Sequence, residues 1–132
     1  MSANTLPVFA LTPKVEAILA TTANTGYDGS GTLETLVTAA INGTKITWIK
    51  AKTVGASSAA NMLRMFITDT NGDNPRLFDE LVLSHQASPG STVKTSESIV
   101  SYSDLQLKAG QLLKVSVHLG DDVIVIASIG DF

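Results

Sequence analysis

Hydrophobic and polar positions follow each other in short stretches along this chain. The stretches break wherever Gly, Asn, Asp, Ser or Pro cluster. Eight runs rich in Val, Ile, Thr and Leu stand out, at about 14–23, 32–38, 44–54, 61–68, 76–84, 95–105, 111–119 and 122–129. β-branched residues in runs of this length, bounded by turn formers, predict strands. Around 111–119 the period is two: Val115, Val117 and Leu119 point one way, and Lys114, Ser116 and His118 point the other. That predicts a strand with one wet face. Met62–Ile67 and Val123–Ala127 are apolar on both faces, which requires a cover on the outer side. Residues 57–66 hold good helix formers, but they open on a Gly-Ala-Ser-Ser loop and run straight into Ile67-Thr68, so the segment reads as a loop followed by a strand.

The breakers assign the turns. Residues 24–31, Asn-Thr-Gly-Tyr-Asp-Gly-Ser-Gly, form a glycine-rich loop that permits a tight reversal between the first two strands. Asn42-Gly43 has the composition of a two-residue type I′ hairpin. Asn71–Pro75, Ser88–Ser91, Ala109-Gly110 and Gly120-Asp121 supply the remaining turns. With no helical periodicity to compete, the reading is all-β. It is a single-domain β-sandwich of about eight antiparallel strands over residues 14–132. Residues 1–13 stand apart as an extended N-terminal arm. Pro7 and Pro13 hold the neighbouring backbone extended, and Leu6, Val8, Phe9 and Leu11 need a surface to pack on, either their own domain or a neighbour.

Composition sharpens this picture. Of 132 residues, 44% are hydrophobic and only 16% charged, against about 25% charged in an average soluble domain. A surface so poor in charge suits contact with other protein. The net charge is −3 and the nine basic residues are scattered, so a nucleic-acid partner is not expected. The absence of cysteine excludes disulfides, thiolate metal sites and cysteine nucleophiles. The N-terminal residues lack the pattern of a secretory leader, and no apolar run approaches the 18 or so residues of a membrane helix, so no membrane partner is expected.

Candidate chemistry is sparse. Two histidines, His85 and His118, read as ordinary surface residues. No G-x-S-x-G elbow and no phosphate-binding glycine loop is present. No enzyme and no cofactor is therefore expected. Asp69, Asn71 and Asp73 stand at positions one, three and five of a loop with Glu80 at position twelve, the oxygen spacing of a Ca²⁺ loop. Asn74 occupies the position where that loop needs glycine, so an Asp/Asn-rich β-turn is the preferred reading. Trp48, the single tryptophan, belongs in a core or an interface. The expected interface set is Leu6, Val8, Phe9, Leu11, Trp48, Met62, Phe66 and Val125.

Several strings carry a resemblance. They are Ala-Thr-Thr-Ala at 20–23, the glycine-rich loop, Leu36–Lys52, Met62–Asp69, Leu105–Val117 and the final Gly-Asp-Phe. In layout over residues 15–132 the chain resembles the small cement or decoration proteins, and related head-associated proteins, of tailed bacteriophages. The resemblance implies a jelly-roll-like sandwich that forms homotrimers. Such a trimer would sit on the major capsid protein lattice, on the outer surface of a virion assembled in the bacterial cytoplasm. It transfers no catalytic residue and no cofactor. A tail, fibre or head–neck component is the alternative it leaves open, and the residues by themselves leave open a Ca²⁺- or sugar-binding module.

Overall fold

The computed structural model describes residues 10–55, 59–85 and 95–132. Eight strands follow in order: β1 (Thr12–Ala20), β2 (Glu34–Thr38), β3 (Thr44–Thr53), β4 (Asn61–Ile67), β5 (Arg76–Leu83), β6 (Glu97–Leu107), β7 (Leu112–Val117) and β8 (Val123–Asp131). No helix occurs among the described residues. The segment over 57–66 is strand from Asn61 on, as its junction with Ile67-Thr68 requires.

The strands form two four-stranded sheets, ordered β1-β8-β3-β6 and β2-β7-β4-β5, and every ladder is antiparallel. The pairings nest: β1 with β8, β2 with β7, β3 with β6 and β4 with β5. The chain is thus one long hairpin wound on itself, and the winding adds the β3–β8 and β4–β7 ladders. Only the β4–β5 connection stays within a sheet. This overturns the hairpin expected at Asn42-Gly43, because β2 and β3 lie in different sheets. Gly43 has φ +94° and its N–H closes a turn on the Ala40 carbonyl at 2.9 Å, but Asn42 does not take the positive φ that a type I′ turn demands.

The core fills the space between the sheets. Ile46, Ile49 and Ala51 of β3, and Val123, Val125, Ala127 and Ile129 of β8, meet Leu63 and Met65 of β4 and Leu113, Val115 and Val117 of β7. Ile46 and Ile49 are three apart, and strict alternation would send them to opposite faces. A bulge between Ile46 and Trp48 inserts Thr47, which turns both isoleucines inward. A second bulge between Thr35 and Val37 lets the adjacent Leu36 and Val37 both be buried.

One strand departs from its expected pattern. The polar face of β7 is not wet: Ser116 is 2% exposed, and it lies opposite Arg64 of β4, which is also 2% exposed. The cover is the glycine-rich loop. Beyond reversing the chain, it lies across the outer face of the β2-β7-β4-β5 sheet. Its Tyr27 ring sits 4.1 Å from the Arg64 guanidinium carbon. At Gly29 (φ +85°) the loop comes so close to Pro75 that an added Cβ would lie 2.6 Å from the Pro75 carbonyl oxygen.

Candidate functional site

The outer face of the β1-β8-β3-β6 sheet carries several exposed apolar side chains. Register places its side chains in rows. Leu19, Ile124 and Lys52 form one, Ala17, Ile126, Lys50 and Ile99 the next, and Val15, Ser128 and Trp48 a third. Val15 is 62% exposed, Leu19 49%, Ile99 60%, and Leu11, just before β1, 81%. Ile124, Ile126 and Trp48 are half-buried. Lys50 and Lys52 both reach Glu97, at 3.0 and 3.7 Å. These half-exposed pairs contribute little to stability, but they leave the apolar rows with few unpaired cations.

One end of this face is tied down around Asp131. The Thr44 hydroxyl donates to its Oδ1 at 2.7 Å, and Lys14 Nζ lies 2.9 Å from its Oδ2. The hydrogen bond from Thr44, and then the one from Lys14, hold the Asp131 carboxyl below the usual carboxylate range. Beside it, Ala10 crosses over Gly130. A Cβ on Gly130 would lie 2.4 Å from the Ala10 Cβ, so the close crossing needs glycine there.

The expected interface residues divide. Leu6, Val8 and Phe9 lie outside the described residues. Trp48 is half-buried on the outer face of the β1-β8-β3-β6 sheet, Leu11 is exposed just before β1, and Met62 is half-buried on β4. Phe66 and Val125 have no exposed surface and offer nothing to a partner. Val125 points inward because it alternates with Ile124 and Ile126, and Phe66 shares the covered face of β4 with Arg64. The doubly apolar runs therefore have different causes. In β8 the outer residues join the apolar sheet face, and in β4 the outer residues lie under or beside the chain's own loop.

The Asp69 loop is a self-capped turn. Asp69 Oδ1 accepts the Asn71 N–H at 3.0 Å and the Asp73 N–H at 2.9 Å, and its Oδ2 accepts from Asn74 Nδ2 at 2.9 Å. These bonds, led by the one from Asp73, lower the pKa of Asp69. Its lone pairs are engaged within the turn, and Asn74 takes φ 55° where the Ca²⁺ loop would place glycine. Glu80 sits on β5, paired across the ladder with Arg64. No three His, Asp or Glu side chains gather into a metal-binding group among the described residues.

Sequence reasoning missed the cluster beneath the glycine-rich loop. Arg64 donates from Nη1 to the Asn24 carbonyl at 3.3 Å, and its Nη2 lies 3.2 Å from His118 Nδ1. Arg64 offers only N–H donors, so His118 Nδ1 is the acceptor in this contact. Asn24 in turn ties the loop, donating to the Ser30 and Thr32 carbonyls and accepting the Gly26 N–H. The signal was the one arginine inside the apolar run 62–67, set on the face that Ser116 and His118 share. The cluster's chemistry is structural: a cation is stacked and hydrogen-bonded to hold a loop. Next to it, Tyr27, Asp28, Ser30, Asn74 and Arg76 line a shallow open concavity of about 640 Å³.

No protein-family model and no curated protein matches the chain. Solved structures do. A chain in the acidic stable capsid structure of Helicobacter pylori bacteriophage KHP30 aligns over 92% of this chain and 88% of its own length, with a TM-score of 0.52 at 12% identity. A chain in the cyanophage Pam1 capsid asymmetric unit aligns over 99% and 94%, with a TM-score of 0.44 at 12% identity. The chain has the fold of the KHP30 capsid-structure chain, an eight-stranded antiparallel sandwich in two sheets.

Proposed function

We propose that this protein is a structural component of a bacteriophage virion, a cement or decoration subunit that binds the outer capsid lattice and stabilises the head. The observation that carries the reading is the fold shared with a phage capsid-structure chain over nearly the whole length. The strand orders support reading the sandwich as a jelly roll, since nested pairs rolled into two sheets make two Greek keys. The exposed apolar residues on β1 and β6 support a role in protein contact, and the low charge agrees with it. The working unit is a homotrimer on the lattice of the major capsid protein. Many copies, each bridging neighbours, would detach slowly because every subunit holds more than one contact.

The test is co-sedimentation with purified heads, together with the solution mass by light scattering. The expected result is saturable binding to expanded heads, heads that withstand heating longer when coated, and a mass three times 13.8 kDa. Binding to isolated tails with none to heads would move the protein to the tail. A soluble monomer that binds neither would overturn the proposal.

A further inference from the structure

The glycine-rich loop and the turn before β5 stand side by side and leave a concavity of about 640 Å³ between them, within the usual size range of small-ligand sites. The two walls touch at Gly29 and Pro75, where an added Cβ would not fit. Each wall is tied within itself. Asp28 Oδ1 accepts the Ser30 N–H at 3.0 Å and the Ser30 hydroxyl at 2.6 Å, and Asn74 Nδ2 donates to Asp69 across its own turn. Three side chains in this cleft have binding capacity to spare. Tyr27 is 59% exposed although Arg64, itself 2% exposed, lies against one face of its ring, so the other face is open. The Arg76 side chain is exposed, and no hydrogen bond or ion pair engages its guanidinium among the described residues. Ser30 engages Asp28 through Oδ1, and Oδ2 retains acceptor capacity.

We propose that this cleft binds a neutral saccharide, with the C–H face of one sugar ring on Tyr27 and neighbouring hydroxyls shared between Arg76 and Asp28. The chemistry selects this class. Arg76 can only donate and ionised Asp28 can only accept, while a sugar hydroxyl does both and satisfies the two together. An anion would be repelled by Asp28, with Asp69 close behind Asn74, and a cation would be repelled by Arg76. The open ring face supplies an apolar platform for the sugar's carbons. Arg64 holds that ring in place from beneath, and the self-tied walls leave little to order on binding, which lowers its entropic cost. The inference does not rest on the capsid reading. On a particle carrying many copies, such sites would act together on a glycan-bearing surface.

The test is a titration of the full, isotope-enriched chain followed by its amide signals. The probes are the methyl glycosides of glucose, galactose, mannose and N-acetylglucosamine, with sodium acetate and sodium phosphate as charged comparisons. At least one glycoside should shift the amides of Tyr27, Ser30 and Arg76 saturably, with a dissociation constant in the millimolar range, while Ile99 on the other sheet stays still. Arg76→Ala keeps the stacked Tyr27 and removes a residue exposed at the start of β5, so it should fold as the parent does and bind that glycoside about tenfold more weakly. Tyr27→Phe keeps the ring and should bind within about twofold of the parent. No shift at these amides with any glycoside up to about 100 mM would overturn the proposal. Shifts with acetate or phosphate and none with the glycosides would make the cleft an anion site and overturn it as well. Equal affinity in Arg76→Ala and the parent would place the sugar elsewhere, with the same consequence.

Discussion

Two valines separate the core from the surface in a matched comparison. Val125, inward on β8, is fully buried, and Val82, outward on β5, is 57% exposed. Replacing each by alanine removes the same two methyl groups. At Val125 the transfer loss is about 1.6 kcal/mol, from about 0.8 kcal/mol for each carbon. Val125 contacts both neighbouring strands of its own sheet and faces the opposite sheet, so the walls can collapse only partly, and the cavity adds about 1 kcal/mol. Val125→Ala should therefore cost about 2.5 kcal/mol. A chain of 132 residues unfolds with an entropy of about 280 cal/mol/K at its midpoint, so Tm should fall by about 9 °C. Val82→Ala loses only strand propensity and exposed contact and should stay within about 0.5 kcal/mol. Urea titration should move the midpoint of Val125→Ala and leave the slope unchanged. Equal midpoints for the two variants would mean that the inward and outward faces of β8 have been assigned wrongly.

Other outcomes follow from single contacts. Gly110 has φ +88°, and a Cβ there would lie 1.9 Å from the Thr70 carbonyl oxygen, so Gly110→Ala should cost about 3 kcal/mol or more; a urea midpoint within error of the parent would refute the placement of this turn. Asn24→Ala should cost about 1–2 kcal/mol and speed hydrogen exchange at Gly26, whose N–H it holds; unchanged exchange would mean that the loop is held without Asn24. Asp69 is held below its usual value of 3.8 by hydrogen bonds, so it stabilises the fold above about pH 4 and that share is lost as pH falls through the lowered value. Between pH 5 and 2 the parent should therefore lose more stability than Asp69→Ala, and parallel curves would deny the turn this role. The Tyr102 hydroxyl donates to Asp79 at 2.6 Å, and burial, then Asp79, raise its pKa above the usual 10.0. Because the folded state keeps the proton longer than the unfolded one, stability should fall as pH rises past about 10 and fall less in Tyr102→Phe, as urea midpoints from pH 8 to 11 can show.

Strand positions were legible because each run carries its own evidence: β-branched residues between turn formers. The eight strands lie within a few residues of the eight runs. The Asp69 turn was legible for the same reason, since Asp and Asn cap their own backbone within five residues. Local chemistry determined that the chain would be all-β, where it would turn, and that β8 would be apolar on both faces. It could not determine which strands pair, because Asn42-Gly43 has the same composition whether it closes a hairpin or crosses between sheets. That was decided by the nesting of β1 with β8 and β2 with β7, contacts over a hundred and about eighty residues apart. Bulges at Thr47 and Leu36 likewise changed which neighbours share a face, and period-two reading has no term for an inserted residue. The polar stripe of Ser116 and His118 read as wet because alternation records polarity and not cover. Only the fold brought the Tyr27 loop and Arg64 over it, since burial depends on what the rest of the chain lays on a surface.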